Sequence, residues 1–209
     1  IDNNILLHQF VRTMANNLQE SDFNLLVNID LPRIELPITP NSGLEKFYHY
    51  ILAPFGKPKP LVISLINDFT SIKASGYILT HQYLVLEWAE LMSIELTEKL
   101  LHNKQEILNQ LQQEQLLDNT FSDLYIERVV ILLRAGKIKL INAAQWIQLV
   151  IDAQLPNGLW NDYLMNLSFD GESITGKPGA QHTSVLSLLA LKTYLTITES
   201  GIENITGSN

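Results

Sequence analysis

Apolar residues recur every three or four positions along most of the chain, the spacing that places them on one face of an α-helix. Caps, glycines and prolines mark where these stretches begin and end. The pattern predicts an all-α chain of about eight helices, near residues 5–18, 42–54, 60–69, 80–92 (continuing or restarting towards 101), 104–115, 121–133, 141–153 and 181–199.

Individual residues fix several of the predicted helix ends. Ser42 and Glu45 have the spacing of a capping box. Gly76 breaks the apolar pattern, after which Thr80 is expected to cap the next helix. Pro60 suits the first turn of a helix, and Gly136 suits the position just past the end of one. The segment 55–60, rich in proline, is expected to form a rigid joint between helices.

The exception to the helical pattern is the glycine- and proline-rich segment 155–181. Asp170-Gly171 lies between two short stretches of strand character, the strongest short signal for a hairpin turn. We therefore expect a small β-hairpin projecting from a single helical domain, residues 1–200, with a sub-boundary at 54–60 as an alternative. Residues 201–209 are expected to form a flexible tail.

Charge and composition narrow the classes of function. The acidic chain has a formal net charge of −8, which disfavours binding to nucleic acid. The absence of cysteine excludes disulfides, zinc–thiolate sites and thiol catalysis. No apolar run reaches the length of a transmembrane segment. The sequence begins at Ile1 without methionine, so export after removal of a targeting segment is one expectation and a shortened chain is another; the compartment stays open.

Two segments 101 positions apart are alike. Residues 63–89 and 148–190 each contain a helix, an acidic residue, a turn with glycine, and a histidine, His81 or His182, followed eight positions later by alanine. Repeated helical hairpins are typical of stacked architectures, in which each pair buries its apolar face on its neighbours.

The second segment carries a family resemblance. Gln154, Gly158 and Trp160 form a Gln-x-x-x-Gly-x-Trp pattern that precedes the helix from His182. Over about residues 144–195 this resembles the helical-hairpin repeats of the α/α-toroid proteins, of the squalene-cyclase and protein-prenyltransferase type. The resemblance implies that the Gln154 amide caps backbone groups and that the Trp160 indole stacks on it. For a chain of this length it implies antiparallel helical hairpins stacked as an open arc or incomplete toroid.

The chain departs from that family at its catalytic motifs. The Asp-x-Asp-Asp acid motif of the cyclases is absent, and the cysteine ligand of the prenyltransferase zinc site is absent too. Neither activity transfers with the resemblance. The five histidines are distant from one another in sequence, so the sequence predicts no metal site and no cofactor.

The candidate catalytic residues are His182, Asp152 and Asp162. An imidazole oriented by an aspartate is a usable general base, and His182 lies at the start of a helix just after the glycine-rich segment. The candidate ligand-binding residues are Trp160, His81 and Gln154. The competing interpretation is structural: a histidine hydrogen-bonded at a helix start, and a tryptophan buried at a helix junction.

Two functions remain open at this point. One is a helical-repeat scaffold that binds a protein, a peptide or an apolar or sugar ligand without catalysis. The other is a hydrolase or lyase that uses His182 and a nearby aspartate on a carbohydrate or isoprenoid-like substrate. An enzyme predicts that His182, Trp160 and Asp152 or Asp162 line one pocket, whereas a scaffold predicts that they are scattered or packed.

Overall fold

A computed structural model describes residues 42–136, 140–161, 165–176 and 180–206. Within these residues the chain forms eight helices and one antiparallel hairpin, so the predicted all-α class with a small hairpin is confirmed. The helix predicted at 5–18 lies outside the described residues. The elements in chain order are α1 (Gly43–Ile51), α2 (Ala53–Gly56), α3 (Lys59–Thr70), α4 (Gly76–Leu91), α5 (Glu98–Leu117), α6 (Asp123–Arg134), α7 (Leu140–Asp152), β1 (Met165–Phe169), β2 (Glu172–Gly176) and α8 (Ala180–Thr206).

Hydroxyl caps start three of these helices. The side chains of Ser42, Thr97 and Ser122 each accept a hydrogen bond from the backbone N–H three residues later, which satisfies one of the free donors of the first turn. The capping role predicted for Ser42 is therefore confirmed, with Glu45 supplying the donating N–H. Pro60 lies in the first turn of α3, as expected.

Other predicted ends differ from the structure. Thr80 does not cap a helix: α4 begins at Gly76, and Thr80 is fully buried in its second turn. Gly76 was expected to interrupt the helical pattern, but it is the first residue of α4. Its φ of +57° is one that glycine adopts at little cost. Pro54 does not end α1, which stops at Ile51; it lies in the first turn of the short helix α2. Helix α8 includes residues 201–206, which are predicted from the sequence to belong to a flexible tail.

Consecutive helices from α3 to α8 pack against one another, and the most extensive contact is between α6 and α8. Helix α6 also packs against both α4 and α8, so these three lie side by side. The first turns of α4, α6 and α8 contact one another, because Tyr77, Asp123 and His182 are joined by hydrogen bonds. The three helices therefore begin at the same end of the bundle. Every residue from Tyr125 to Leu133 is buried, as expected for the central helix.

The hairpin lies against α1 and the start of α4. Phe169 of β1 joins an aromatic cluster with Phe47, Tyr50 and Phe69, with ring centroids about 5 to 6 Å apart. The turn is the predicted one, because Asp170 and Gly171 both have positive φ and Phe169 pairs with Glu172. None of the helices in the described part of the chain is both long and apolar enough to cross a membrane.

Candidate functional site

A polar cluster lies where α4, α6 and α8 begin. Its centre is the carboxylate of Asp123, the first residue of α6, which is fully buried. Its Oδ1 accepts from His182 Nδ1 at 2.8 Å and from Thr183 Oγ1 at 2.9 Å, and its Oδ2 accepts from the Tyr77 hydroxyl at 3.3 Å. One carboxylate thus joins the first turns of all three helices.

These hydrogen bonds keep Asp123 ionised. Burial alone would raise the pKa of its carboxyl, but hydrogen bonds from His182, Thr183 and Tyr77 outweigh burial and lower that pKa. Burial and the neighbouring carboxylates raise the pKa of Tyr77, so its phenol stays protonated and donates. Asp123 therefore carries a negative charge at neutral pH although its own side chain is shielded from water.

His182 is the cluster member that reaches solvent. An ionised carboxylate only accepts, so His182 Nδ1 carries a hydrogen that it donates to Asp123. The side chain nonetheless keeps 43% of its surface exposed. The hydrogen bond to Asp123 raises the pKa of the imidazole, against a smaller opposing effect of burial. Nε2, the other ring nitrogen, is left to exchange a proton with a bound molecule or with water.

Glu127 lies one turn further along α6, on the same face as Asp123. Only 8% of the residue is exposed, and its Oε2 lies 2.8 Å from Thr80 Oγ1. Burial raises the pKa of its carboxyl, opposed by His81, by Thr80 and by His182. The two carboxyl groups of α6 thus have pKa values displaced in opposite directions.

His81 lies beside this cluster but is held by its own helix. Its Nδ1 is 2.7 Å from the Tyr77 carbonyl oxygen, so Nδ1 donates to that carbonyl. Its ring packs edge-on against Phe47, with centroids 5.3 Å apart. The half-buried imidazole therefore lies between the cluster and the aromatic core.

The structure does not gather the other predicted site residues around His182. Asp152 is exposed and accepts from Gln148 on its own helix at 2.8 Å. Asp162 lies outside the described residues. Gln154 donates to the Gly158 carbonyl at 2.9 Å, and Trp160 is fully buried. The carboxylate that orients His182 is thus Asp123, which the sequence analysis did not single out.

A signal for the missed residues was present in the sequence. Asp123 and Glu127 are acidic residues four apart at the start of a helix whose other positions are mostly apolar. A helix with apolar residues on all sides is expected to be buried. Acidic side chains on such a helix are therefore expected to be buried as well, and to be paired with a hydrogen-bond donor or a positive charge. No pattern in the sequence indicated that His182 is the partner of Asp123, because the two residues are 59 positions apart along the chain.

The same residues are the group most suited to a cation within the described part of the chain. One ligand atom each from Asp123, Glu127 and His182 lies within 4.8 Å of the others. Both oxygens of Asp123 already accept hydrogen bonds, however, and His182 Nδ1 points at one of them. These bonds use most of the acceptor capacity of Asp123, so the geometry favours a hydrogen-bonded pair over a metal centre.

A cleft of about 410 Å³ lies next to the cluster, between the starts of α4 and α6 and strand β1. Tyr77, which bonds to Asp123, is among its lining residues, whereas His182, Asp123 and Glu127 are not. Hydroxyl and apolar side chains share its walls: Ser75, Ser122, Ser168, Ile78, Leu124 and Leu167. A second cleft of about 480 Å³ shares part of this lining and adds Lys46 and Lys73.

Comparison with protein-family models, with curated proteins and with solved structures finds no match to this chain. Its function is therefore inferred from its own residues.

Proposed function

We propose that the chain is a hydrolase or lyase in which His182, oriented by Asp123, transfers the proton. In a hydrolysis, Nε2 takes a proton from the attacking water and then returns it to the leaving group, so the imidazole is regenerated. Asp123 holds the ring with the hydrogen on Nδ1 and stabilises the imidazolium formed between the two steps.

One observation carries this proposal. Asp123 is fully buried and bonded to His182 Nδ1 at 2.8 Å, while nearly half of the imidazole surface stays exposed. The exposed side of the ring is open to a bound molecule or to water, which a general acid or base requires. A buried carboxylate behind an exposed imidazole is the arrangement that general acid–base catalysis uses.

The neighbouring cleft supports a substrate with both hydroxyl and apolar surface. Its serines can bond to hydroxyl groups, and its isoleucine and leucines can contact carbon rings or chains. This agrees with a carbohydrate or isoprenoid-like substrate. Trp160 is buried, so stacking of a sugar on its ring plays no part in the proposal.

Two hydrogen bonds bear on the proposed likeness to α/α-toroid repeats. Gln154 caps the Gly158 carbonyl at 2.9 Å, and the indole N–H of Trp160 donates to the carbonyl of Val150 at 2.7 Å. The Gln154 bond agrees with the capping that the resemblance implies for its amide. The Trp160 bond holds the turn after α7 to that helix, and it is a different contact from the stacking on Gln154 that the resemblance implies. The side-by-side packing of α4, α6 and α8 is also compatible with an open arc of helical pairs.

Hydrolysis of chromogenic probes tests the catalytic proposal. The full chain is assayed with 4-nitrophenyl glycosides and 4-nitrophenyl esters, with and without EDTA. We expect turnover of at least one probe that persists in EDTA and that falls by about 10² to 10⁴ in His182→Gln, the usual contribution of a general acid or base. His102→Gln is the control, because His102 is exposed and pairs with Glu106 on its own helix, away from the cluster. Equal rates in His182→Gln and the native chain would contradict the proposal.

The scaffold function is the second candidate, and one observation favours it: His182, Trp160 and Asp152 do not line one pocket. Under this function the clefts beside β1 bind a peptide, a protein or a small ligand, and His182 has a structural part. It is favoured if no probe is turned over, and if His182→Gln leaves both folding and ligand binding unchanged.

A further inference from the structure

We infer that Glu127 is a positioning residue that carries its proton at neutral pH and thereby leaves Asp123 as the single negative charge beside His182. The catalytic meaning of this inference rests on the proposed function, but the protonation state itself does not.

The count of hydrogens at Thr80 carries the inference. Thr80 Oγ1 lies 2.9 Å from the Tyr77 carbonyl oxygen and 2.8 Å from Glu127 Oε2. A hydroxyl has one hydrogen, and a carbonyl oxygen only accepts. With Glu127 ionised, the single hydrogen of the Thr80 hydroxyl would have to be shared between two acceptors, which leaves both short contacts poorly satisfied. With Glu127 protonated, its O–H donates to Thr80 and the Thr80 hydroxyl donates to Tyr77, so both contacts are hydrogen bonds.

The other neighbour of Thr80 cannot change this count. His81 Nδ1, 3.3 Å from Thr80 Oγ1, already directs its hydrogen at the Tyr77 carbonyl, 2.7 Å away. It therefore cannot accept the hydroxyl hydrogen of Thr80. The Thr80 hydroxyl is fully buried, so water does not supply the missing hydrogen either.

The titratable groups that surround Glu127 include the carboxylate of Asp123, which favours a neutral Glu127, and two histidines, which act in the opposite direction. These groups are Tyr77 and His81 on α4, Asp123 on α6 and His182 on α8. Within the described residues no lysine or arginine pairs with Glu127: Arg128, its neighbour in sequence, bonds to Glu114, Gln115 and Asp118 on the side of α5. Burial raises the pKa of the Glu127 carboxyl, which agrees with the hydrogen count.

The consequence concerns His182. Two ionised carboxylates beside one imidazole would hold it as the cation, because each opposite charge within a few ångströms favours the charged form. With Glu127 neutral, only Asp123 exerts that effect, and His182 can both lose and regain a proton. Two carboxyl groups held in opposite protonation states are the usual arrangement in sites that need an acid and a base together.

Histidine NMR titration of the full chain tests the inference without any substrate. Glu127→Gln replaces one neutral group by another, so we expect the pKa of His182 to stay where it is in the native chain. Glu106→Gln is the matched control: Glu106 pairs with His102 at 3.3 Å on the exposed face of α5, and both variants remove a carboxyl near one histidine. A fall of about one pH unit or more in the pKa of His182 in Glu127→Gln would show that Glu127 is ionised and would overturn the inference.

A second measurement covers a variant that folds poorly. Carboxyl ¹³C chemical shifts of the native chain report directly whether Glu127 is protonated at neutral pH. A resonance in the carboxylic-acid range supports the inference, and a carboxylate shift overturns it. Neither measurement requires turnover. An ionised Glu127 would therefore overturn this inference without contradicting the proposal that His182 acts in catalysis. The failure of His182→Gln to reduce turnover would likewise leave the protonation result unaffected.

Discussion

Replacing Asp123 tests whether the cluster holds the three helices together. Asp123→Ala removes the acceptor of three hydrogen bonds, two of them from the buried hydroxyls of Thr183 and Tyr77. Asp123→Asn keeps the shape of the side chain and one acceptor oxygen, and it removes the charge. The two variants therefore separate the hydrogen bonds from the electrostatic contribution.

The structure gives the expected magnitudes. A buried donor left without its acceptor costs about 1 to 3 kcal/mol. Asp123→Ala leaves two buried hydroxyls without an acceptor and also removes the pair with His182. We therefore expect the free energy of unfolding to fall by about 3 to 5 kcal/mol. In Asp123→Asn the amide oxygen can still accept from His182 and Thr183, and the Tyr77 hydroxyl can rotate to accept from the amide. Because His182 is nearly half exposed, solvent screens the charge effect, and we expect a loss of about 1 to 2 kcal/mol.

The pH dependence gives the prediction its sign. The lowered pKa of Asp123 means that its contribution is present above the ordinary value of 3.8 and disappears as pH falls through the folded-state pKa. The raised pKa of His182 means that its contribution is fully present below the ordinary value of 6.5 and is lost as pH rises through the folded-state pKa. The difference in stability between the native chain and Asp123→Asn should therefore be largest between these two values and should shrink on either side.

Urea unfolding followed by circular dichroism at a series of pH values measures this difference. Glu106→Gln, which removes an exposed carboxylate, should change stability little at any pH. A difference between the native chain and Asp123→Asn that stayed constant from acid to alkaline pH would refute the reasoning, because it would show that the His182–Asp123 pair contributes no charge interaction.

Three further predictions concern the framework of the site and are measured by the same unfolding assay. Gly43→Ala should destabilise the chain by about 1 to 3 kcal/mol, because its Cβ would lie 2.5 Å from a backbone oxygen of the hairpin, whereas Gly176→Ala, which meets nothing, should not. Trp160→Phe should cost about 1 to 3 kcal/mol, since the buried carbonyl of Val150 loses its donor, and it should leave turnover of the 4-nitrophenyl probes unchanged. Arg128→Met should lower the free energy of unfolding by about 2 to 3 kcal/mol, less than the loss of a fully buried ion pair, because its acidic partners are partly exposed. A loss below about 0.5 kcal/mol in Gly43→Ala, Trp160→Phe or Arg128→Met would contradict the reasoning for that variant.

The local elements could be predicted where one residue decides them. Ser42 caps α1 because a serine side chain reaches the N–H three residues later, whatever lies elsewhere in the fold. The turn at Asp170-Gly171 follows from the tolerance of these two residues for positive φ. The start of α4 was predicted wrongly, because Tyr77, Ile78 and the residues after them are buried against other helices and extend the helix back to Gly76. Tertiary packing there overrides the local preference.

One part of the candidate site could be predicted from the sequence and another part could not. His182 stood out in the sequence by its place at a helix start, and the structure places it in the polar cluster. Its partner could not be predicted, because nearby aspartates in sequence were the only candidates available, while Asp123 comes from another helix. Whether His182 acts in catalysis stays a prediction.

The sequence by itself determined the helical class, the hairpin turn and the cap at Ser42, because these depend on the spacing of apolar residues and on groups a few positions apart. Only the tertiary structure decided which helices begin at the same end, and so which carboxylate faces which imidazole. It also decided that Trp160 is enclosed and that Glu127 is buried. The physical reason is that burial and hydrogen bonding depend on distances in space, and the residues that meet at this site are separated along the chain by up to about a hundred positions.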